Sequence, residues 1–189
     1  MTEIALFGTS ADPPTAGHQA ILIWLSQRFD QVVVWASDNP FKTHQTPLED
    51  RMKMLSLLIG EINAPHQNIA VYPELSSRRT LETLERAKKY WSDGEYTLVI
   101  GSDLIKQIPQ WYQIETLLSQ VKLLIIPRPG YRVEKTDLDR LRQLGTQVTI
   151  ASIQGLPVSS SHYRQTGNIE VLPPPVQDYI DQKQLYSGK

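Results

Sequence analysis

Two short stretches of this chain combine residue types that bind phosphate. The first is Thr15-Ala16-Gly17-His18. Threonine is a good helix N-cap, because its hydroxyl holds the free backbone N–H groups of a new helix. His18 follows three positions later, one turn on and on the same face. Gly17 has no Cβ, so a bulky anion can approach the backbone. A helix start with unpaired N–H groups, a hydroxyl and an imidazole makes a phosphate site. Pro13-Pro14 stiffens the approach, since each proline fixes its own φ. The second stretch is Ser159-Ser160-Ser161-His162-Tyr163-Arg164. Its serines offer hydroxyls and N–H groups at a helix start, and Arg164 reaches the same face. Read alone, each admits a plainer explanation: a surface histidine in the first, an N-cap with a surface arginine in the second.

The elements that must position these residues follow from hydrophobic periodicity. Ile4–Gly8 reads as a short buried strand and Gln19–Phe29 as a helix, with Ile21, Leu22, Trp24 and Leu25 apolar. Thr15–His18 therefore lies at the carboxyl end of a first strand, where open α/β sheets place their ligands. Gln31–Ala36 is a β-branched second strand. After the loop Ser37–Thr46, Thr46 is expected as N-cap and Pro47 as first residue of a helix with Met54, Leu55, Leu58 and Ile62 inward. Ile69–Tyr72 reads as a weaker strand and Arg79–Trp91 as a helix. Tyr96–Ile100, Lys122–Pro127 and Gln147–Ala151 read as further strands, with a short helix near Leu138–Leu144. Ser159–Arg164 and Val176–Gln184 close the chain as helices. Strands alternating with helices predict an α/β fold with a doubly wound parallel sheet, Rossmann-like in kind. At 189 residues the expectation is one domain spanning 1–189, with a small C-terminal helical part from about 159.

Composition removes several function classes. The formal net charge is −1, so no global field attracts nucleic acid or membrane, and phosphate recognition must rest on a few local cations. The chain has no cysteine, which excludes disulfides and thiolate metal sites and fits a cytoplasmic protein. Met1-Thr2-Glu3 runs straight into the first strand, so neither a leader nor a membrane span is expected. Neither G-x-G-x-x-G nor G-x-x-x-x-G-K-[ST] occurs, which disfavours dinucleotide dehydrogenases and P-loop NTPases. No heptad or exposed apolar strip gives an oligomeric state.

Gly8-Thr9-Ser10-Ala11-Asp12-Pro13-Pro14-Thr15-Ala16-Gly17-His18 resembles the opening signature of the nucleotidyltransferases related to class I aminoacyl-tRNA synthetases. In the nicotinate mononucleotide adenylyltransferases it reads G-G-[ST]-F-D-P-x-H-x-G-H. Thr9, Ala11 and Thr15 depart from it, and threonine in the last place is familiar in phosphopantetheine adenylyltransferase. Val158–Arg164 resembles the same family's I-S-S-T-x-x-R. Gly101-Ser102-Asp103 with Trp111 resembles its G-x-D…W, and Asn39-Pro40-Phe41-Lys42 loosely resembles its Asn-Pro-x-x-Lys. Arg78-Arg79-Thr80-Leu81-Glu82-Thr83-Leu84 matches S-Y-T-x-D-T-L at Thr80 and Thr83-Leu84 but puts two arginines where the family has Ser-Tyr. The ending from Leu172 to Tyr186 is similar to L-[PV]-P-x-V-x-x-Y-I…L-Y.

The resemblance implies transfer of AMP from ATP to nicotinate mononucleotide, giving deamido-NAD and pyrophosphate. It implies catalytic contacts to the reacting phosphates from His18, Thr15 and Arg164. On the ATP side it implies Gly8, Ser10, Gly17, His18, Gly101, Asp103, Ser160, Ser161 and Arg164. For the mononucleotide it implies Thr9, Lys42, Thr80 and Trp111, the indole stacking on the pyridine ring. Mg²⁺ is expected on the ATP phosphates, with no dedicated metal site. Trp24, Trp35 and Trp91 are expected to be core packing, Arg51 a solvated helix residue, and His44, His66 and His162 without a role. Two alternatives stay open: a preference for nicotinamide mononucleotide or another phosphate acceptor, and a nucleotide-binding sensor without turnover.

Overall fold

A computed structural model describes residues 1–42, 46–63, 67–153 and 159–187. Six strands form one sheet: β1 (Glu3–Thr9), β2 (Gln31–Ala36), β3 (Ile69–Val71), β4 (Glu95–Gly101), β5 (Val121–Ile126) and β6 (Val148–Ile150). Their order is β3-β2-β1-β4-β5-β6, and every neighbouring pair is parallel. This is the doubly wound, Rossmann-like parallel sheet expected from the sequence, and its strand order reverses between β1 and β4. The register sets Leu6 beside Val33 on one side and Leu98 on the other. Such strands are covered on both faces, so they read as continuous apolar runs rather than alternating ones. Ile4–Phe7, Val32–Ala36 and Leu98–Ile100 are all buried.

The helices are α1 (Ala16–Ser26), α2 (Leu48–Gly60), α3 (Thr80–Tyr90), α4 (Ile114–Leu118), α5 (Lys135–Gln143), α6 (Ser160–Thr166) and α7 (Pro174–Lys183). The stripe predicted for α2 is buried at Met54, Leu55 and Leu58. Thr15 is the N-cap of α1, as read from the sequence. The start of α2 differs from expectation by one residue. Pro47 is the N-cap and Leu48 the first helical residue, and no side chain caps the end. Thr46 is instead buried, its carbonyl accepting a bond from Arg51 Nε at 3.0 Å. The short α4 was not expected; it follows Gln113, which holds φ at +46°.

Arg51 corrects the expectation of a solvated helix residue. It is 2% exposed. Besides Thr46, its Nη1 donates to the carbonyls of Ser10 at 3.0 Å and Ser37 at 2.9 Å. The reason is geometric: Arg51 sits on the first turn of α2, beneath the loops that leave β1 and β2. Of the tryptophans expected in the core, Trp35 is fully buried. Trp24 and Trp91 pack against the core from its edge. Arg28 lies over Trp24 with its guanidinium carbon 3.9 Å from the ring centroid, and Tyr72 meets Trp91 edge-on at 5.2 Å.

Trp35 pairs with Gly8 across β1 and β2. A Cβ on Gly8 would stand 2.6 Å from the indole. Gly8→Ala is therefore expected to lower stability by about 1–3 kcal/mol through overpacking. Urea unfolding reads this as a lower midpoint at unchanged slope; an unchanged midpoint would mean that the indole yields freely.

Candidate active site

The loop from Ser10 to Pro14 leaves β1 at the point where strand order reverses. Thr15, extended at φ −127°, then caps α1, its Oγ1 accepting the Gly17 N–H at 3.2 Å. His18 completes the cap in reverse. Its Nδ1 accepts the backbone N–H of Thr15 at 2.9 Å, the place a glutamate takes in a capping box. A backbone N–H can only donate, so Nδ1 carries no proton. The neutral ring then has its proton on Nε2, which lies 3.0 Å from Thr9 Oγ1 and donates to it. Burial, with the charges of Arg128 and Lys42 adding to it, lowers the His18 pKa to about 4. His18 is thus a neutral donor near pH 7, with a fixed tautomer and its N–H aimed at Thr9, the last residue of β1.

Beside it stands a cluster of charge. Arg128 Nη1 lies 3.3 Å from Asp103 Oδ2, and Lys42 Nζ lies 4.0 Å from the same oxygen. Lys42 also donates to Ser10 Oγ at 3.4 Å, and the Arg128 N–H donates to Ser102 Oγ at 2.8 Å. Gly101 leaves the room this needs, since a Cβ there would stand 2.4 Å from Asp103 Oδ1. Two cations around one carboxylate leave the cluster net positive.

The second phosphate stretch meets the same loop. Ser159 caps α6, accepting the His162 N–H at 3.0 Å. Ser160 Oγ donates to the Pro13 carbonyl at 2.6 Å. Arg164 donates to the Asp12 carbonyl at 2.6 Å and to Ser161 Oγ at 3.1 Å. The second stretch, with Ser160 lying 147 residues beyond Pro13, therefore clasps the loop that leads into the first, at the carbonyls of Asp12 and Pro13. Asp12 is buried and accepts the Tyr186 hydroxyl on Oδ1 at 2.6 Å.

Thr80 and Trp111 lie elsewhere along the sheet edge, in a cavity of about 540 Å³. Trp35, Leu98, Val99 and Ile100 also line it. Gly8, expected on the ATP side, lines this cavity as well, and its neighbour Thr9 bonds His18. Gly8 thus links the aromatic cavity to the charged cluster. Trp111 is oriented by its Nε1–H, which donates to Gln107 Oε1 at 3.3 Å; Asn39 Nδ2 donates to that oxygen at 3.1 Å. No side chain caps α3, so its first N–H groups are left without partners in the helix.

Three residues here escaped sequence reasoning. Arg128 was given no role from the sequence, though its place after Ile126 at the carboxyl edge of β5 is a usable signal. Trp35 was assigned to the core, and it both packs there and lines the cavity. Arg51 gave no local cue. His44, His66 and Val158 lie outside the described residues. His162 is exposed and makes backbone bonds only. Among the described residues no cluster of three or more His, Cys, Asp or Glu is arranged to hold a metal, and no helix is long and apolar enough to cross a membrane.

Comparison with known proteins gives concordant likenesses. The family model described as cytidylyltransferase-like matches residues 6–166. A Synechocystis protein named "Probable nicotinate-nucleotide adenylyltransferase" is 49% identical, over 97% of this chain and 98% of its own. One from Bacillus cereus with the same name is 29% identical over the full length of both. The Plasmodium falciparum nicotinic acid mononucleotide adenylyltransferase, solved with NaAD, superposes with a TM-score of 0.84 at 22% identity, covering 100% of this chain and 99% of that one.

The state of His18 has a consequence for stability. Its folded pKa, about 4, lies below the unfolded value of 6.5. Between these pH values the unfolded chain holds a proton that the folded chain does not. Stability is therefore fully present above pH 6.5 and falls as pH drops toward 4, by on the order of 2 kcal/mol. Thermal unfolding of wild type and His18→Asn from pH 7.5 to 4.5 reads this: the wild type is expected to lose more Tm than the variant. Parallel curves would show that His18 titrates normally.

Proposed function

The chain belongs to the cytidylyltransferase-like nucleotidyltransferase family, and from that premise we propose that it transfers AMP from ATP to nicotinate mononucleotide, releasing pyrophosphate. A phosphate oxygen of the mononucleotide attacks the α-phosphorus of ATP. The new P–O bond forms as the bond to the β-phosphate breaks, and deamido-NAD and pyrophosphate result. The attacking phosphate is already ionised, so no side-chain nucleophile and no strong base is needed. Catalysis is positioning and charge stabilisation.

The observation that carries this reading is the clasp of Ser160 and Arg164 on the Asp12–Pro13 backbone, two to six residues from the cap and donor His18. One polyphosphate can meet both. The Nε2–H of His18 exchanges its bond to Thr9 for one to a phosphate oxygen, and being neutral it does so without first losing a proton. Thr15 holds that ring in place, and Gly17 lets the phosphate come near. Lys42 and Arg128 supply positive charge at the reacting centre, next to Ser10. Ser160, Ser161 and Arg164 take the leaving pyrophosphate. Asp103, held over Gly101, accepts from a ribose hydroxyl. Thr9 and Thr80 face the mononucleotide, and Trp111 stacks on its pyridine ring in the cavity that Trp35 also lines.

Mg²⁺ enters with ATP. Asp103 is the carboxylate of the charged cluster and is already engaged by Arg128, so phosphate oxygens suit the ion better than a protein cage does. Its charge offsets that of the triphosphate. We place the reaction in the cytoplasm, where ATP is abundant, and treat residues 1–189 as one unit whose part beyond about 159 completes the ATP side. The relatives' names and the ligand of the Plasmodium structure support the same substrates.

Pyrophosphate release is the test. The wild type is expected to release it with ATP, Mg²⁺ and nicotinate mononucleotide, and more slowly with nicotinamide mononucleotide or phosphopantetheine. No release with any acceptor would return the chain to the class of nucleotide sensors. His18→Ala is expected to lower kcat by about 10²–10³ with an unchanged circular-dichroism spectrum; near-normal turnover would remove His18 from the mechanism.

A further inference from the structure

We infer that the pair Arg78–Arg79 selects an acceptor whose flat ring carries a carboxylate over one carrying the neutral amide. The inference rests on the reading above and assigns to particular side chains the choice of acceptor that the reading makes.

The cavity that holds Trp111 is lined by aromatic and aliphatic surface from Trp35, Leu98, Val99 and Ile100. That surface serves a pyridine ring with either substituent equally. Among the described residues, the charged members of the lining are Arg78 and Arg79, with no Asp or Glu. A cavity with an aromatic and aliphatic wall, some uncharged polar side chains and charge of positive sign is suited to a flat anion.

Arg78 has no ion pair among the described residues, and that of Arg79 is loose. Arg79 Nη1 stands 3.8 Å from Glu82 Oε1, a loose pair with both side chains about half exposed. The other oxygen of Glu82 accepts a tight bond from Ser77 Oγ at 2.6 Å, so that carboxylate is shared. The Arg79 guanidinium lies over the Tyr112 ring, its carbon 4.1 Å from the centroid. Tyr112, Trp111 and Arg79 all line the cavity, so the ring contact keeps this cation at the wall to which the indole also belongs. Arg78 makes no hydrogen bond or ion pair among the described residues. The backbone explains the pairing. Arg79 is the N-cap of α3 with φ −122° and its N–H bonded to Ser77 Oγ at 3.2 Å, which holds both arginines at the cavity rim.

Nicotinate and nicotinamide mononucleotides share ring, ribose and phosphate, so contacts to those parts cancel in the ratio between them. What remains is a carboxylate against an amide, and specificity is that difference. An exposed guanidinium gains from the carboxylate by charge and by its planar fork, and gains little from the amide. Because the arginines are exposed, the effect is screened by salt.

The test measures kcat/KM for both mononucleotides with wild type, Arg78→Gln, Arg79→Gln and the double variant. Lys89→Gln, the same loss of charge near the far end of α3, is the control. The double variant is expected to lower the acid-to-amide ratio at least tenfold, through a higher KM for nicotinate mononucleotide, and to flatten the salt dependence of the ratio. A ratio within twofold of wild type in the double variant, or an equal fall in the control, overturns the inference. Calorimetric binding of the two mononucleotides reads the same preference without turnover. A chain that binds the acid through the pair but releases no pyrophosphate overturns the activity and upholds the selectivity. Equal affinity for both mononucleotides in the wild type overturns the selectivity.

Discussion

A buried guanidinium holds the carboxyl edge of this sheet together. Arg51 spends its donors on the carbonyl of Ser10, in the loop after β1, and on those of Ser37 and Thr46, at the two ends of the loop after β2. Burial draws its pKa down, and the nearby Asp12 and Asp38 draw it back; arginine stays charged throughout. Charge-assisted bonds are roughly twice as strong as neutral ones. One side chain therefore fixes the loop after β1, the loop after β2 and the approach to α2. The loop after β1 carries the segment on which His18, Ser160 and Arg164 all depend, so Arg51 shapes a site that it does not enter.

With that frame fixed, the chemistry is electrostatic. The site offers donors and cations that are in place before any phosphate arrives, so little reorganisation is needed during reaction. His18 is the clearest case. Its Nδ1 bond to the Thr15 N–H prevents protonation there, and burial with two neighbouring cations discourages the doubly protonated ring. A charged imidazole would lose the cap to α1. The same contact thus sets the tautomer, starts the helix and aims the Nε2 proton.

The fold was legible because its signals are local. Continuous apolar runs marked the strands, and the serine, threonine and proline positions marked helix starts to within a few residues. Thr15 and Ser159–Ser161 could be read because a cap bonds to residues two or three places along the chain. Tertiary contacts could not be read in this way. Arg51 looks like any helix-surface arginine until Ser10 and Ser37 are placed above it. Arg128 becomes notable only once β5 lies beside β4 and brings it to Asp103. Trp35 was correctly seen as core, but periodicity cannot tell that one edge of a buried indole also forms a cavity wall. Thr46 failed as a cap for a related reason: it became buried, with its carbonyl accepting from Arg51.

The clasp between the two phosphate stretches raises a question of order. Arg164 bonds the Asp12 carbonyl, yet a guanidinium that turns to a phosphate must share or leave that oxygen. The loop does not depend on Arg164 alone. Tyr186, from the far end of the chain, holds Asp12 by its carboxylate instead of its backbone, and its ring meets Tyr163 of α6 edge-on at 5.8 Å. Burial first, and the bond to Asp12 second, raise the Tyr186 pKa, so the phenol keeps its proton at physiological pH and remains a donor. Ser160 on Pro13 and Arg51 on Ser10 brace the two sides of the same residue. Asp12 is therefore held at its side chain by Tyr186 and braced through Ser10 by Arg51, so Arg164 can exchange partners without releasing the segment that carries Thr15 and His18.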